Sequence, residues 1–108
     1  MTDKELNRTL GRMVKRLVRR FKPEQIILFG SHARGNARPD SDIDLLVVLP
    51  FNGSRREKTI ELRVALHDFR VPKDIILVTP EEMAWQRDVK GTIVYPAVRE
   101  GKVIYARN

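Results

Sequence analysis

Apolar residues in the first part of the chain recur every three or four positions, which is the spacing of an amphipathic helix. This apolar stripe consists of Leu6, Leu10, Met13, Val14, Leu17, Val18 and Phe21. The opposite side of the same helix is strongly basic and carries Arg12, Lys15, Arg16, Arg19 and Arg20. Thr2 and Glu5 have the spacing of a capping box, and Pro23 cannot continue a helix. The pattern therefore predicts one long helix between these two signals.

Shorter apolar runs predict four β-strands, at 25–29, 43–49, 74–79 and 103–106. The run 43–49 is almost wholly apolar, which is typical of a strand in the middle of a sheet. A polar stretch separates the first two runs and has room for a short helix only. Because so short a connection cannot hold a full crossover helix, we expect a mixed sheet.

Further helices are predicted between these strands. Ser54 and Glu57 repeat the capping-box spacing, and the helix that follows is expected to continue to about residue 69. Its candidate core residues are Ile60, Val64, Leu66 and Phe69. Residues 79–82 combine a threonine cap, a proline in the first turn and two acids, which together predict a helix start. A last helical turn is predicted over 93–100, with Gly101 at its end.

The alternation of helices and strands predicts an α/β (α+β) fold with a small mixed β-sheet flanked by helices. The chain has 108 residues and no linker, repeat or low-complexity segment, so 1–108 is expected to be a single domain. No apolar run approaches the roughly 20 residues that a membrane helix needs, and the first residues lack the apolar core of a signal peptide. We therefore expect a cytoplasmic protein with no membrane contact.

The absence of cysteine and the net charge indicate which metal ions and ligands the chain can bind. Without cysteine, disulfides and thiolate metal sites are excluded, and a metal ion must bind oxygen or imidazole, which suits Mg²⁺ or Mn²⁺. The formal net charge of +7 favours a phosphate-bearing ligand, nucleic acid or an acidic partner. A well-solvated surface explains the same charge about equally well.

Two aspartates stand at the start of the most apolar strand. Asp42 and Asp44 flank Ile43, and residues two apart in a strand point to the same side of a sheet. At about 4 Å two such charges repel by roughly 4 kcal/mol at an effective dielectric of about 20, and a divalent cation would relieve that repulsion. Taken alone, the pair is more often two turn residues. Asp74 opens the next apolar strand and could complete a three-carboxylate set of the kind that binds Mg²⁺.

A glycine-serine pair directly follows the first predicted strand. Gly30 lets the backbone approach a phosphate closely, and the N–H groups and hydroxyl at Ser31 can donate hydrogen bonds to it. Gly35 allows a second close approach or a left-handed turn, and Arg34 is placed to reach a phosphate or to lie on the surface. Alone, the pair is also typical of a plain strand-to-helix turn capped by Ser31.

The combination of these features is more specific than any one of them. One motif resembles that of the DNA polymerase beta-like nucleotidyltransferase superfamily: Gly30-Ser31, ten residues, Asp42-Ile43-Asp44 and, later, Asp74. The stretches 30–35 and 41–45 resemble its minimal branch, the minimal nucleotidyltransferase (MNT) domain. That branch is often the antitoxin of a two-gene pair with a HEPN-domain toxin. The order of segments extends the resemblance over nearly the whole chain.

The resemblance implies roles for individual residues. The nucleotide would be bound by Gly30, Ser31, Arg34 and Gly35. The catalytic and metal-binding residues would be Asp42, Asp44 and Asp74, which would hold two Mg²⁺ ions or, alternatively, Mn²⁺. Larger members carry a further domain that shapes the acceptor site, so the acceptor is expected to come from a partner.

The implied activity is a metal-dependent transfer of a nucleoside monophosphate, AMP from ATP, to a hydroxyl group on a HEPN-type toxin, with this chain as the antitoxin. Two alternatives stay open: an antitoxin that neutralises its partner by contact alone, and a nucleotidyltransferase that modifies a small molecule of the antibiotic type. Nucleic acid is the least favoured partner, since aromatic residues make up only 6% and show no stacking pattern. The residues that would contact a nucleic acid include Arg55, Arg56, Arg63 and Arg70. Self-association is left open.

Overall fold

The computed structural model describes residues 1–107, and in this range the chain forms five helices and four strands. The helices are α1 (Asp3–Phe21), α2 (Ser31–Arg34), α3 (Arg55–Ala65), α4 (Pro80–Gln86) and α5 (Val94–Glu100). The strands are β1 (Gln25–Phe29), β2 (Ile43–Val48), β3 (Lys73–Val78) and β4 (Lys102–Ala106). Every predicted element is present, and the ends differ by a few residues.

The four strands form one sheet in the order β3-β2-β1-β4. β1 is antiparallel to both β2 and β4, whereas β2 and β3 are parallel. The predicted mixed sheet is therefore confirmed. The short link through α2 lets β2 return antiparallel beside β1, and α3 provides the longer crossover that a parallel pair requires.

Helices cover both faces of the sheet. On the first face, α1 and α3 bury an apolar layer against the strands, which includes Met13, Leu17, Leu28, Leu45, Leu62, Leu66 and Ile75. On the second face, α4 and α5 do the same with Ile27, Leu46, Val48, Val78, Met83, Val94 and Ala97. No helix within residues 1–107 is long and apolar enough to cross a membrane.

The predicted caps set the helix ends. The Thr2 hydroxyl accepts a hydrogen bond from the Glu5 N–H at 3.1 Å, and the Glu5 carboxylate accepts one from the Thr2 N–H at 3.3 Å, which is the expected capping box. Lys22 ends α1 in the left-handed conformation with φ of 54°. At α4, the Thr79 hydroxyl and the Glu82 carboxylate form the same reciprocal pair, with distances of 3.1 and 2.8 Å.

One expectation for α3 is wrong. The helix ends at Ala65 rather than near residue 69, and two of its candidate core residues, Ile60 and Val64, are 46% and 57% exposed. Leu62 is fully buried instead. Because each residue turns a helix by about 100°, a residue two positions from Leu62 points to nearly the opposite side. The other two candidates, Leu66 and Phe69, are buried as predicted.

The sheet brings the predicted site residues together at one end of its strands. In the strand register, Asp44 of β2 lies beside Asp74 of β3 and opposite Phe29 of β1. Gly30 and Ser31 follow Phe29 immediately, at the junction of β1 and α2. The end of β1 and the starts of β2 and β3 therefore meet where the candidate chemistry is.

Candidate active site

Two carboxylates of the parallel strand pair lie side by side. Asp44 and Asp74 are register partners, so their side chains project from the same face of the sheet, which is the second face. The pKa of Asp44 is raised, first because burial disfavours its charged form and then because Asp74 and Asp42 carry like charges nearby. His32 and Arg34 lower it and so oppose these effects. Asp44 is therefore a half-buried carboxylate with two like charges nearby.

Asp42 lies in the turn that leads into β2 and is exposed. This turn is held by short-range hydrogen bonds: the Arg38 N–H donates to the Ser41 hydroxyl at 2.7 Å, and the Ser41 N–H donates to the Arg38 carbonyl at 3.0 Å. A ring nitrogen of His32 lies 3.1 Å from the Ser41 carbonyl oxygen. His32 therefore ties α2 to the turn that carries Asp42.

Gly30 has two separate reasons to be glycine. Its φ of 75° and ψ of −157° lie in a region that residues with a side chain rarely adopt. A Cβ built at this position would also overlap a carboxylate oxygen of Asp44 and lie 3.1 Å from its Cγ. The absence of a side chain at Gly30 therefore allows the β1–α2 junction to pass directly against Asp44.

A cleft of about 390 Å³ opens beside this junction. Its lining consists of Phe29, Gly30, Ser31, Arg34, Asp44, Ile93, Pro96 and Glu100. Four of the predicted site residues therefore share one cavity, although they come from the end of β1, from α2 and from β2. Its volume lies within the range of roughly 300–1,000 Å³ that is usual for clefts that bind small molecules.

Gly35 does not line this cleft. It is the C-cap of α2 with φ of 80°, and a Cβ there would meet nothing within 4 Å. It borders a second, smaller cleft of about 190 Å³ together with His32 and Arg38. In this structure Gly35 serves to end α2, and its place in the nucleotide-binding set stays a prediction.

Glu100 is a cleft residue that the sequence pattern did not reveal. It is the last residue of α5, and its carboxylate lies 3.4 Å from the Arg34 guanidinium across the cleft. An acid before a helix-ending glycine has no local signature of function. Only the packing of α5 against β1 brings Glu100 to the predicted phosphate-binding residues.

Asp74 also has an unexpected partner. The guanidinium of Arg63, on α3, lies 3.6 Å from the Asp74 carboxylate, and both side chains are about half exposed. The sequence suggested Arg63 only as part of a basic surface for nucleic acid. Arg55 of the same group is engaged as well, since it donates to the Leu77 carbonyl at 2.6 Å and to Glu82 at 2.5 Å.

The donor set suits a hard divalent cation, although the side chains do not form a shell around one. Within residues 1–107, no three acidic or histidine side chains converge closely enough to hold a metal ion. Asp44 and Asp74 are nevertheless register partners on adjacent strands, and Asp42 lies two residues before Asp44. Carboxylate oxygens are the ligands that Mg²⁺ prefers, with water and phosphate completing its octahedron. The residues therefore fit such an ion if their side chains turn towards it.

Comparison with known proteins points to one family. Residues 10–98 match the family model described as the nucleotidyltransferase domain. A protein of Methanocaldococcus jannaschii, named as a candidate protein adenylyltransferase, is 36% identical over 91 residues, which cover 78% of this chain. The match spans 62% of that protein's own length.

Solved structures share the fold. A chain of a toxin–antitoxin complex crystallised with AMP-PNP superimposes with a TM-score of 0.65 at 20% identity, covering 91% of this chain and 73% of that one. A chain of a variant of the toxin–antitoxin MntA–HpeT gives a TM-score of 0.66 at 19% identity, with the same coverage of 91% and 73%. At such low identity these likenesses establish the common fold.

Proposed function

The chain belongs to the nucleotidyltransferase domain family, and on this premise we propose that it transfers AMP from ATP to a hydroxyl group of a partner protein. The observation that carries the proposal is the shared cleft, in which Gly30 and Ser31 of the β1–α2 junction meet Asp44 of β2. Asp42 and Asp74 lie close enough to Asp44 to raise its pKa. A phosphate-binding turn and an acidic cluster are thereby adjacent, which is what nucleotidyl transfer requires.

In the proposed reaction, the acceptor hydroxyl oxygen forms a bond to the α-phosphorus of ATP. The bond from this phosphorus to the oxygen that bridges to the β-phosphate breaks, and pyrophosphate leaves with that electron pair. The hydroxyl proton passes to a carboxylate oxygen of Asp74. The products are an AMP ester of the acceptor and pyrophosphate.

The residues of the cleft would bind and orient the triphosphate. Ser31 would donate hydrogen bonds from its hydroxyl and backbone N–H to phosphate oxygens, and the bare backbone of Gly30 would let them come close. Arg34 would exchange its contact with Glu100 for a phosphate. Gly35 is proposed only to shape the turn behind these groups.

We propose that Asp42, Asp44 and Asp74 hold two Mg²⁺ ions, or Mn²⁺. Such ions, when bound, polarise the α-phosphate and offset the negative charge that develops on the pyrophosphate. The like-charge repulsion around Asp44 supports the assignment, because bound cations would remove it.

We further propose that the acceptor belongs to a HEPN-type toxin and that this chain is its antitoxin, acting in the cytoplasm, where ATP is available. The structural likeness to chains of toxin–antitoxin complexes supports this role. The relative named for protein adenylylation supports a protein as acceptor. Arg34 and Glu100 lie at the exposed mouth of the cleft, where a partner's hydroxyl could enter.

Calorimetric titration of ATP tests the nucleotide site. We expect binding in the presence of Mg²⁺ that is lost in EDTA and in the Asp42→Asn/Asp44→Asn double variant. Asp40→Asn with Asp88→Asn is a matched control, because it removes two exposed carboxylates outside the cleft. Binding that survives EDTA and the double variant, or that the control loses equally, would refute the proposed site.

One observation favours a second function, neutralisation of a toxin by contact without catalysis. Asp74 is paired with Arg63, and the three aspartates do not converge on a formed metal shell within residues 1–107. The same double variant separates the two functions. Toxin neutralisation that persists in Asp42→Asn/Asp44→Asn, with no AMP ester on the toxin by mass spectrometry, would support contact alone.

A further inference from the structure

A third cleft, of about 430 Å³, lies between α1 and α3. These two helices cover the first face of the sheet, whereas Asp44 and Asp74 project from the second. The cleft is therefore on the opposite side of the molecule from the candidate active site. Nothing in the proposed transfer reaction uses it.

One wall of this cleft is strongly basic. It is formed by five cations of α1: Arg12, Lys15, Arg16, Arg19 and Arg20. After Glu5, α1 carries no acidic residue, so these charges are not balanced within their own helix. The acidic residue that lines the cleft, Asp68, is in an ion pair with Arg16. The remaining cations face the cleft or water.

The floor of the cleft is apolar, whereas the other wall combines Val64 and Ala65 with His67 and Asp68. Phe69 is buried, and the guanidinium groups of Arg12 and Arg16 lie over its ring, 5.2 and 4.6 Å from the ring centre. Val64 lines the cleft and is more than half exposed. Ile60, one helical turn earlier on the same side of α3, is nearly half exposed. Val64 lines the cleft and Ile60 lies one turn beyond its lining, so the two residues form an exposed apolar strip along α3.

We propose that this α1–α3 cleft docks an acidic amphipathic helix of a protein partner. From Arg12 to Arg20 the basic row extends over about 12 Å, with cations on successive helical turns. A partner helix with carboxylates at the same spacing would face each of them, and its apolar stripe would cover Val64 and Ile60. This inference goes beyond the proposed transfer activity and does not depend on it.

Two other occupants fit less well. A second copy of the chain would bring two molecules of formal net charge +7 together, so their electrostatic repulsion opposes self-docking. Single-stranded nucleic acid needs exposed aromatic rings for stacking, but Phe69 is buried and the exposed Trp85 lies on α4, at the other face of the sheet. Duplex phosphates would leave the apolar strip of α3 uncovered.

The test uses a fluorescent synthetic peptide of about 18 residues, roughly five helical turns, with glutamates along one side and leucines beside them. Its affinity for the full chain is measured by fluorescence anisotropy at physiological salt. A peptide of the same composition in permuted order serves as the sequence control. We expect the Lys15→Glu/Arg19→Glu variant to weaken binding about tenfold or more, because both side chains line the cleft.

The control variant Lys90→Glu/Lys102→Glu changes the net charge equally, by four units from +7 to +3, at exposed positions outside the cleft and outside α1 and α3. We expect it to weaken binding by no more than about twofold. Val64→Ser should cost about fivefold through lost apolar contact, whereas Val89→Ser, at another exposed valine, should have no effect. Circular dichroism confirms that each variant is folded.

Four results would overturn the proposal. The first is no peptide binding, and the second is equal binding of the permuted peptide. The third is an equal loss of peptide affinity in the two charge-reversed variants, which would show that net charge alone attracts the peptide. The fourth is preference for another occupant: tighter binding of duplex DNA or RNA than of the peptide, or self-association that Lys15→Glu/Arg19→Glu abolishes in sedimentation.

Discussion

Gly30 and Asp44 are in such close contact across the β1–α2 junction that a methyl group on Gly30 would overlap the Asp44 carboxylate. The contact couples the proposed phosphate-binding turn to the central carboxylate of the candidate site. Any residue other than glycine at position 30 must displace either the turn or Asp44. Backbone conformation demands glycine as well, because φ is 75°.

Gly30→Ala is therefore expected to destabilise the fold by about 2 kcal/mol or more and to abolish ATP binding. Urea unfolding measures the first effect and calorimetry the second. Gly53→Ala is the matched control, since Gly53 has φ of 84° but a Cβ at this position would have nothing within 4 Å. It should show the conformational cost alone, about 1 kcal/mol, with normal ATP binding. Equal behaviour of the two variants would show that the Asp44 contact is unimportant.

Glu100→Gln should tighten ATP binding. Glu100 places a negative charge in the cleft and holds Arg34 at 3.4 Å, so its loss removes repulsion of the triphosphate and frees the guanidinium. We expect the Kd to fall about threefold, and Arg34→Gln to raise it about tenfold. Glu61→Gln, which removes an exposed carboxylate of α3, should leave the Kd unchanged. Weaker ATP binding by Glu100→Gln would instead indicate that Glu100 contacts the nucleotide directly.

The orientation of α3 predicts that shortening Leu62 and shortening Ile60 will change the free energy of unfolding very differently. Leu62→Ala should reduce the free energy of unfolding by about 2–5 kcal/mol, because Leu62 is fully buried against the first face of the sheet. Ile60→Ala should change it by roughly 0.5 kcal/mol or less, because that side chain is nearly half exposed. Urea denaturation measures both. A large loss in Ile60→Ala would contradict the observed orientation of α3.

Glu82 should make stability depend on acid pH. Its pKa is lowered, chiefly by the hydrogen bond from Arg55, so the stabilisation is fully present above the ordinary pKa of 4.5 and is lost as the pH falls through the lower folded-state value. At pH 7 we expect Glu82→Gln to be less stable by about 1 kcal/mol or less. In thermal unfolding, the difference in unfolding temperature between Glu82→Gln and the parent chain should shrink below pH 4.5.

Glu81→Gln is the control for that measurement, because it removes an exposed carboxylate from the same first turn of α4. The difference in unfolding temperature between Glu81→Gln and the parent chain should not shrink strongly in acid, unlike the difference for Glu82→Gln. A Glu82→Gln curve that runs parallel to the parent down to acid pH would show that the Arg55–Glu82 pair does not stabilise the fold.

Short-range patterns in the sequence were sufficient to predict most of the helices and strands. Helical periodicity, capping residues and apolar runs act over three or four positions, so α1, α4 and the four strands could be predicted from neighbouring residues. The mixed sheet followed from the length of one connection. The association of Gly30-Ser31 with the aspartates was predicted from the resemblance of the whole motif to that of the nucleotidyltransferase superfamily.

Tertiary packing alone decided which side chains share the site. Glu100 reaches Arg34 across 66 positions, and the side of α3 that faces the sheet depends on how that helix packs against the strands. At α3 two apolar stripes competed, one through Ile60 and Val64 and the other through Leu62 and Leu66. Periodicity cannot choose between two apolar stripes of one helix, because both satisfy it equally. The choice is made by the shape of the sheet surface, which forms only when distant segments pack together.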